Sequence, residues 1–215
     1  VYTVFAVSDA DAPKRRITAF AVDASWPGVH TEAQHVLGGH PIGRVRLEDV
    51  KVPDSARIGE VGRGLSVALA TLHRFRPTVG AAAVGFAWRA LDESIAHVKS
   101  RVQFGAPLAS LQMVQARLAE MACDVEASRL LVRRAVRAID EDQSRSEVAR
   151  TGSMAKLVAT ESAQRVIDQA VQLHGGRGVC VDQVVARLYQ DIRALRIYEG
   201  ATDVQKLLLA RELLA

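Results

Sequence analysis

Apolar side chains recur at helical spacing through most of this sequence, and that recurrence restricts the fold more than any other feature. Between residues 108 and 142 the intervals are three, four or seven positions, at Leu111, Val114, Leu118, Met121, Val125, Val132 and Ile139. Residues at these intervals share one face of a helix, so the stripe is typical of a seam buried between helices. The sequence therefore predicts an up-down antiparallel helical bundle.

Four further helices are expected beside this one. The same spacing predicts them at about residues 65–100, 148–174, 182–198 and 202–214. In the helix at 148–174 the expected inward positions are Leu157, Val158, Val166, Ile167, Ala170 and Val171. Pro77 lies inside the first helix, and because proline lacks a backbone donor we expect a kink or break near Arg76.

Residues 1 to about 58 have a different pattern, which is typical of β structure. Apolar residues alternate or run together at 1–7, 16–22 and 43–52, with turn residues between these segments. Glycines within 59–64 end the pattern, and helical spacing follows. We therefore predict a mainly α chain with two domains, a partial, barrel-like β-sheet over residues 1–58 and a helical bundle over residues 59–215.

The composition excludes several classes of protein. The net charge of +4 comes from basic residues scattered among acidic ones, which does not favour nucleic-acid binding. The apolar runs are interrupted by charges or glycine, so we expect no membrane span. Cys123 and Cys180 are too few for a disulfide framework, which favours a cytoplasmic location. The first residues look like a strand without an initiating methionine, so we expect the chain to begin inside a domain.

One short segment near the end has the residues needed for acid–base chemistry. Glu199 follows Tyr198 and precedes Gly200, where one helix is expected to end and another to begin. Gly200 can adopt the left-handed turn after a helix, and Thr202 or Asp203 can cap the next one. A carboxyl group held there against apolar walls has a raised pKa and can act as a general base. For a lone glutamate, however, a surface position at a helix end is commoner.

Three motifs together resemble those of one enzyme family. Residues 197–205 (IYEGATDVQ) are similar to the catalytic loop of the acyl-CoA dehydrogenases. Residues 101–108 (RVQFGAPL), with Gln112 beyond them, and residues 172–178 (QLHGGRG) are similar to two further family segments, in the same order and at the same spacing. The sequence thus resembles the C-terminal half of an acyl-CoA dehydrogenase, which implies the end of the middle β domain followed by the C-terminal α domain.

The resemblance implies FAD as the cofactor. Taken alone, Arg101 is a cation at a helix C-terminus and Gly175–Gly176 a helix cap, whereas in the family these positions contact the flavin nucleotide, often across a subunit contact. The implied FAD-binding residues are Arg101, Phe104, Gln112, Gln172, Leu173, His174, Gly175, Gly176, Ala201, Thr202 and Asp203. Many relatives have threonine at Ala201, so one hydrogen bond to FAD depends on Thr202. His174 has no partners at metal-ligand spacing, and no metal is predicted.

The implied reaction is α,β-dehydrogenation of an acyl-CoA thioester to a trans-2-enoyl-CoA. Glu199 would remove the α proton while a hydride passes to the flavin, and the Glu199 backbone N–H would help to polarise the thioester carbonyl. The implied substrate-binding positions are His73, Arg74, Phe75, Arg76, Tyr198 and Gly200. Relatives often carry aspartate at His73. Phe75 occupies the position of the catalytic carboxylate in some members, which leaves Glu199 as the candidate base.

Two other interpretations remain open from the sequence. The chain can be a catalytically incomplete fragment or a non-catalytic helical assembly subunit of a split dehydrogenase, since the family's N-terminal half is not in it. It can also be an acyl-CoA oxidase, which uses the same base with oxygen as acceptor. The resemblance implies an electron-transfer flavoprotein as the electron acceptor. It also implies assembly as a dimer of dimers, or with a partner chain that supplies the N-terminal half.

Overall fold

The computed structural model describes residues 1–214, so Ala215, the last residue of the predicted helical domain, lies outside the described residues. The chain divides into two compact units. One contains Val1–Val36 and Pro41–Leu72, and the other contains Leu37–His40 and the residues from His73 onward. The division falls within the first long helix.

The first unit is built from antiparallel strands. A three-stranded sheet has the order β1-β2-β5, with β1 at Tyr2–Val7, β2 at Ile17–Val22 and β5 at Arg57–Ile58, and a separate hairpin pairs β3 (Val29–Gln34) with β4 (Ile42–Leu47). The strand predicted at 43–52 ends early, because Asp49 turns the chain with a φ of 49°. Strand β3 was not predicted, since nearly all of its residues are exposed and it has no apolar alternation.

Five helices follow within the described residues, and the prediction of a mainly α chain is confirmed. They are α1 (Gly64–Ser100), α2 (Gln112–Asp140), α3 (Arg145–His174), α4 (Val184–Leu195) and α5 (Thr202–Leu213). A short hairpin, β6 (Val102–Gln103) with β7 (Ala106–Pro107), joins α1 to α2. Helix α3 begins before the predicted residue 148, because Ser144 caps it by accepting a hydrogen bond from the Glu147 N–H.

The kink or break predicted near Arg76 is not a break, because α1 runs without interruption from Gly64 to Ser100. Proline at this position leaves the carbonyl of His73 without its helical donor. Gly152 of α3 lies against that carbonyl and the proline ring, and a Cβ atom there would be 3.3 Å from the His73 oxygen and 3.5 Å from Pro77 Cδ. The small residue lets α3 approach the irregular turn closely.

The core of the second unit is rich in small residues, which lets the helices pack closely. On α3 the buried apolar residues are Ala155, Ala159, Ala163, Val166, Ile167, Ala170 and Leu173. Three of the six positions predicted to face inward, Leu157, Val158 and Val171, are only half-buried. Val171 nevertheless packs against the core. The predicted face of α3 was incomplete, because Ala155, Ala159, Ala163 and Lys156 were not counted as buried.

The contacts between helices define their directions. Helices α2 and α3 are antiparallel, since Arg134 pairs with Glu147 near their junction and Asp124 pairs with Arg165 farther along. Helices α1 and α3 are parallel in the second unit. Arg76 contacts Ser153 towards one end of this pair, and His97 contacts His174 at the other.

Candidate active site

The loop between α4 and α5 has an unusual backbone at Glu199. Both Glu199 (φ 56°) and Gly200 (φ 99°) have positive φ, which is uncommon for a residue with a side chain and costs conformational energy. A Cβ atom on Gly200 would come within 2.2 Å of the Gln205 Nε2 atom, so a larger residue there would displace the Gln205 side chain. The predicted left-handed turn at Gly200 agrees with this geometry.

The capping prediction for α5 is wrong. Ala201 occupies the N-cap position without a side-chain hydrogen bond, and the helix begins at Thr202. The Thr202 hydroxyl instead donates to the Glu161 carboxylate, which also receives two hydrogen bonds from Arg196, at 2.9 and 2.8 Å. Glu161 thereby connects α3 to Arg196 on one side of the loop and to Thr202 on the other. Burial raises the pKa of Glu161, but the hydrogen bonds from Arg196 and Thr202 outweigh it and lower the pKa below its usual value.

Three buried donors hold the carbonyl groups of the loop. Arg76 Nε donates to the Glu199 carbonyl at 3.3 Å, and Lys156 Nζ donates to the Gly200 carbonyl at 2.9 Å. Gln205 Nε2 donates to the same two carbonyls, at 3.4 and 3.1 Å. All three side chains are almost completely buried. A strained backbone persists only where its surroundings fix it, and these donors do so for Glu199 and Gly200.

The Glu199 carboxyl group has two properties of a general base, an oxygen without a hydrogen-bond partner and a raised pKa. Its Oε2 atom is buried and has no hydrogen-bond partner among residues 1–214. Burial raises the pKa of Glu199 above its usual value, while the charges of Arg76 and Lys156 act in the opposite direction. Burial also raises the pKa of the neighbouring Tyr198, and the charge of Glu199 adds to that shift. An unsatisfied carboxylate with a raised pKa is typical of functional sites.

The positions expected to bind substrate differ in exposure. Arg74 and Phe75 are exposed on α1, whereas Arg76 is only 4% exposed and uses its guanidinium on the Glu199 carbonyl and the Ser153 hydroxyl. His73 is half-buried, and burial lowers its pKa, with Arg76 and Arg145 adding to the shift. The Tyr198 ring lies edge-on to the ring of His40, with centroids 6.0 Å apart.

The first group of expected FAD residues lies around the β6–β7 hairpin. Its two turn residues, Phe104 (φ 53°) and Gly105 (φ 81°), both have positive φ, as a tight two-residue hairpin requires. This turn presents the Phe104 side chain 91% exposed. Arg101 precedes the hairpin and Gln112 begins α2, and both are exposed.

The second group lies at the end of α3, and the structure brings it beside the first. The His97 and His174 rings are stacked with centroids 4.2 Å apart. Burial lowers the pKa of His97, and the charges of His174, Arg177 and Arg101 add to the effect. The backbone at Gly175 and Gly176 is open, because a Cβ atom on either would meet nothing within 4 Å. Gln172 is exposed, whereas the Leu173 side chain is buried in the core.

The structure does not bring these cationic residues to Glu199 within one chain. Arg76 and Ser153 lie beside the Glu199 loop, and His97 and His174 lie at the far end of the same two helices. At 1.5 Å per helical residue, the two ends are about 30 Å apart. The remaining predicted positions, Ala201, Thr202 and Asp203, follow Glu199 in the loop and the first turn of α5. The site residues predicted from the sequence thus form two separate groups.

The sequence interpretation missed three residues that form hydrogen bonds to the loop between α4 and α5: Lys156, Glu161 and Gln205. For Lys156 a signal was present. Ser153, Lys156, Thr160, Ala163, Ile167 and Ala170 follow one another at intervals of three or four, and all are buried. A lysine on a buried stripe needs a partner, and this could have led to the loop. Among the residues described, no three metal-ligating side chains are gathered at one place.

Comparison with known proteins identifies the family. The family model described as acyl-CoA dehydrogenase, C-terminal domain, matches residues 62–214. The chain belongs to the acyl-CoA dehydrogenase family. It is 39% identical over 216 residues to a probable acyl-CoA dehydrogenase of Mycobacterium tuberculosis, covering 99% of this chain and 55% of that protein. The resemblance inferred from the three motifs is thereby confirmed.

Two further relatives extend the comparison. The caffeyl-CoA reductase-Etf complex subunit CarC of Acetobacterium woodii is 38% identical over 214 residues, covering 98% of this chain and 56% of that protein. The structure of butyryl-CoA dehydrogenase from Megasphaera elsdenii superposes with a TM-score of 0.94 at 35% identity, covering 100% of this chain and 56% of that one. The chain therefore spans about half the length of the relatives it matches. None of the helices described in this family member is long and apolar enough to cross a membrane.

Proposed function

We propose that this chain forms the C-terminal part of an FAD-dependent enzyme that converts an acyl-CoA thioester to a trans-2-enoyl-CoA, with Glu199 as the base. The observation that carries the proposal is the half-buried Glu199 carboxyl group, whose Oε2 atom is buried and lacks a hydrogen-bond partner among residues 1–214, and whose pKa is raised. In this proposal residues 1–58 end the middle β domain and residues 59–215 form the helical domain, in accord with a family match that begins at residue 62.

In the proposed reaction Glu199 removes the α proton of the thioester. A carboxyl group with a raised pKa is a stronger base, and the burial of its Oε2 atom limits contact with water. The backbone N–H of Glu199 would donate to the thioester carbonyl, where negative charge develops. Bound FAD would supply the hydride acceptor. Tyr198 and Gly200 flank the base, and His73 to Arg76 lie on the adjacent stretch of α1.

The residues around the β6–β7 hairpin fit a cofactor that carries a diphosphate. Arg101 offers an exposed guanidinium, Arg177 adds a second positive charge near His97, and the open backbone at Gly175 and Gly176 lets a phosphate approach closely. Phe104 offers an exposed ring beside them. Together with the positions after Glu199, these residues would hold FAD.

The separation of the two groups by about 30 Å favours a site shared between copies of the chain. In that arrangement the cationic group of one subunit and the Glu199 loop of another serve the same cofactor. Exposed leucines near the end of the chain offer an apolar surface for such an assembly: Leu207, Leu208, Leu213 and Leu214. We include a homo-oligomer in the proposal, and a partner chain that supplies the N-terminal half is the alternative assembly. An electron-transfer flavoprotein is the proposed acceptor, since one relative is named as a subunit of an Etf complex.

The experiment is the Glu199→Gln variant of the holoenzyme that contains this chain. Glutamine has nearly the same shape but cannot take a proton, so turnover with acyl-CoA should fall by about 10³-fold or more while FAD content and ligand binding remain. Assays with an artificial electron acceptor and with oxygen would separate a dehydrogenase from an oxidase. Turnover of the variant near the wild-type rate would refute the role of Glu199. Failure of the wild-type protein to retain FAD would instead favour a non-catalytic assembly subunit.

A further inference from the structure

The most unusual group outside the reacting residues is the Lys156 side chain. It is 0% exposed, yet its Nζ atom donates a hydrogen bond only to the neutral Gly200 carbonyl among residues 1–214. Taking an ammonium group out of water is costly unless other groups compensate for the lost hydration. A buried lysine without a directly bonded carboxylate therefore needs an explanation.

The hydrogen bond alone does not explain why the residue is charged. Gln205 Nε2 already donates to the same Gly200 carbonyl at 3.1 Å, and it is neutral. A second neutral donor would satisfy the carbonyl at a much smaller desolvation cost. Unlike Gln205, Lys156 places a positive charge beside the Gly200 carbonyl.

The surrounding charges show where that positive charge acts. Glu161 attracts Lys156, but its carboxylate already receives hydrogen bonds from Arg196 and Thr202. The charge of Lys156 also acts on Glu199, whose Oε2 atom has no hydrogen-bond partner among residues 1–214. The titratable and charged groups that face this site come from α1, α3 and the segment after α4: Arg76, Lys156, Glu161, Arg196, Tyr198 and Glu199.

We propose that Lys156 is a positioning residue for Glu199. Its ammonium group holds the Gly200 carbonyl so that Glu199 stays in its left-handed conformation, and its charge favours the ionised carboxylate that can accept a proton. Burial favours the neutral acid form of Glu199, and the positive charges of Arg76 and Lys156 oppose that effect. Lys156 shares this role with Arg76, which holds the adjacent Glu199 carbonyl. The inference deepens the proposed function and depends on it for the identity of the base.

Two substitutions separate the hydrogen bond from the charge. Lys156→Met removes both, whereas Lys156→Gln can keep a donor to the Gly200 carbonyl without the charge. Lys14→Met is the matched control, since it removes an exposed lysine in the first unit. The measurements on the holoenzyme are the pH profile of kcat and hydrogen–deuterium exchange of the peptide covering residues 197–205.

We expect Lys156→Met to lower kcat at pH 7 by about tenfold or more, with a much smaller change in KM. The acid limb of its pH profile should move to higher pH by about one unit, because a missing positive charge makes Glu199 harder to ionise. Exchange of the 197–205 peptide should accelerate by about tenfold. Lys156→Gln should restore slow exchange but keep the shifted acid limb, and Lys14→Met should behave as wild type.

Three outcomes would overturn the inference or part of it. A folded Lys156→Met variant with wild-type exchange would show that Lys156 does not hold the loop. A wild-type pH profile in Lys156→Gln would show that the charge has no effect on the base, and this variant decides the question if Lys156→Met does not fold. If Glu199→Gln stays active, the proposed base is wrong, but the exchange measurement still tests whether Lys156 holds the loop.

Discussion

The imidazole rings of His97 and His174 stack face to face with centroids 4.2 Å apart, at the ends of two parallel helices. Burial is the main cause of the lowered pKa of His97, and interactions with His174, Arg177 and Arg101 lower it further. Protonation of His97 is disfavoured here, because the charged ring would be desolvated and repelled by the neighbouring positive charges. We therefore expect His97 to reduce the stability of the helical unit in acid.

The first prediction concerns that acid limit. The pKa of His97 is lower in the folded than in the unfolded chain, so the unfolded chain binds more protons as the pH falls through about 6.5. Stability from this group is present above that pH and is lost below it. We expect the melting temperature to fall less between pH 7 and pH 5 in His97→Phe, which keeps a ring against His174, than in wild type. Equal slopes in the two proteins, measured by thermal unfolding, would contradict the assignment.

The second prediction concerns Arg101 as a ligand of the FAD diphosphate. A guanidinium makes paired hydrogen bonds to phosphate that an ammonium group cannot copy. We therefore expect Arg101→Lys to weaken FAD binding by about tenfold and Arg101→Ala by about 100-fold, as expected for charge-assisted hydrogen bonds of about 1.5–3 kcal/mol. The measurement is flavin absorbance retained after dialysis against increasing salt.

The control for Arg101 is Arg89→Ala. Arg89 is an exposed arginine on α1, the helix that ends just before Arg101, and it pairs with Glu93. Its replacement should leave flavin retention unchanged and cost little stability, since exposed ion pairs contribute about 0–1 kcal/mol. Equal loss of flavin in the two alanine variants would show that overall positive charge, and not the position of Arg101, determines binding.

The third prediction uses two glycines with opposite surroundings. Gly200 has a φ of 99°, and an added Cβ would lie 2.2 Å from Gln205 Nε2, whereas Gly85 lies in α1 with nothing within 4 Å of an added Cβ. Gly200→Ala should therefore cost about 1–3 kcal/mol of unfolding free energy and displace Glu199. Gly85→Ala should stabilise the chain by up to about 1 kcal/mol, because alanine favours the helix.

Chemical denaturation and turnover should be measured together on both glycine variants. Turnover should fall at least about tenfold in Gly200→Ala, since small displacements of a catalytic group are costly, and remain at the wild-type level in Gly85→Ala. A Gly200→Ala enzyme with normal turnover would show that the loop conformation is not needed to place the base.

Much of the architecture followed from local patterns in the sequence. Of the predicted seam, Met121, Val125 and Val132 are buried, because apolar residues at helical spacing can be buried only by packing helices together. Leu111 precedes α2 and is 38% exposed, so the seam does not extend to it. The turn at Gly200 followed from the conformational freedom of glycine. These features depend on residues close together in the sequence, and the same is true of the three motifs that indicated the family.

What could not be predicted depends on contacts between distant residues. Thr202 looked like a helix cap, but its hydroxyl donates to Glu161, 41 positions earlier in the chain. Pro77 looked like a helix break, but Gly152 packs against its ring and the helix continues. Lys156 was not singled out in the sequence, although it is fully buried and its Nζ atom donates to the Gly200 carbonyl. For Thr202 and Pro77 a contact with a distant residue outweighed the local preference, and such a contact cannot be predicted from neighbouring residues alone. For Lys156 the spacing on α3 indicated burial but did not identify its partner.

The fourth prediction concerns the stability of the chain in alkali. Burial lowers the pKa of Lys156 from 10.5 to about 8. Below pH 8 the residue is protonated in both the folded and unfolded states. Between pH 8 and 10.5 the folded chain loses this proton while the unfolded chain keeps it, so the unfolded state binds more protons and the unfolding free energy rises with pH. This single group contributes up to about 3 kcal/mol over that interval.

Lys156→Met lacks this group, and comparison with wild type removes the contributions of the other titrating residues. We expect the unfolding free energy of wild type relative to Lys156→Met to increase from pH 8 to pH 10.5, as measured by urea denaturation. Lys14→Met, which removes an exposed lysine, should follow the wild-type curve. A constant difference between wild type and Lys156→Met across this range would mean that the buried lysine has a normal pKa. Its ammonium group would then remain charged behind Glu199 at every pH at which the enzyme works.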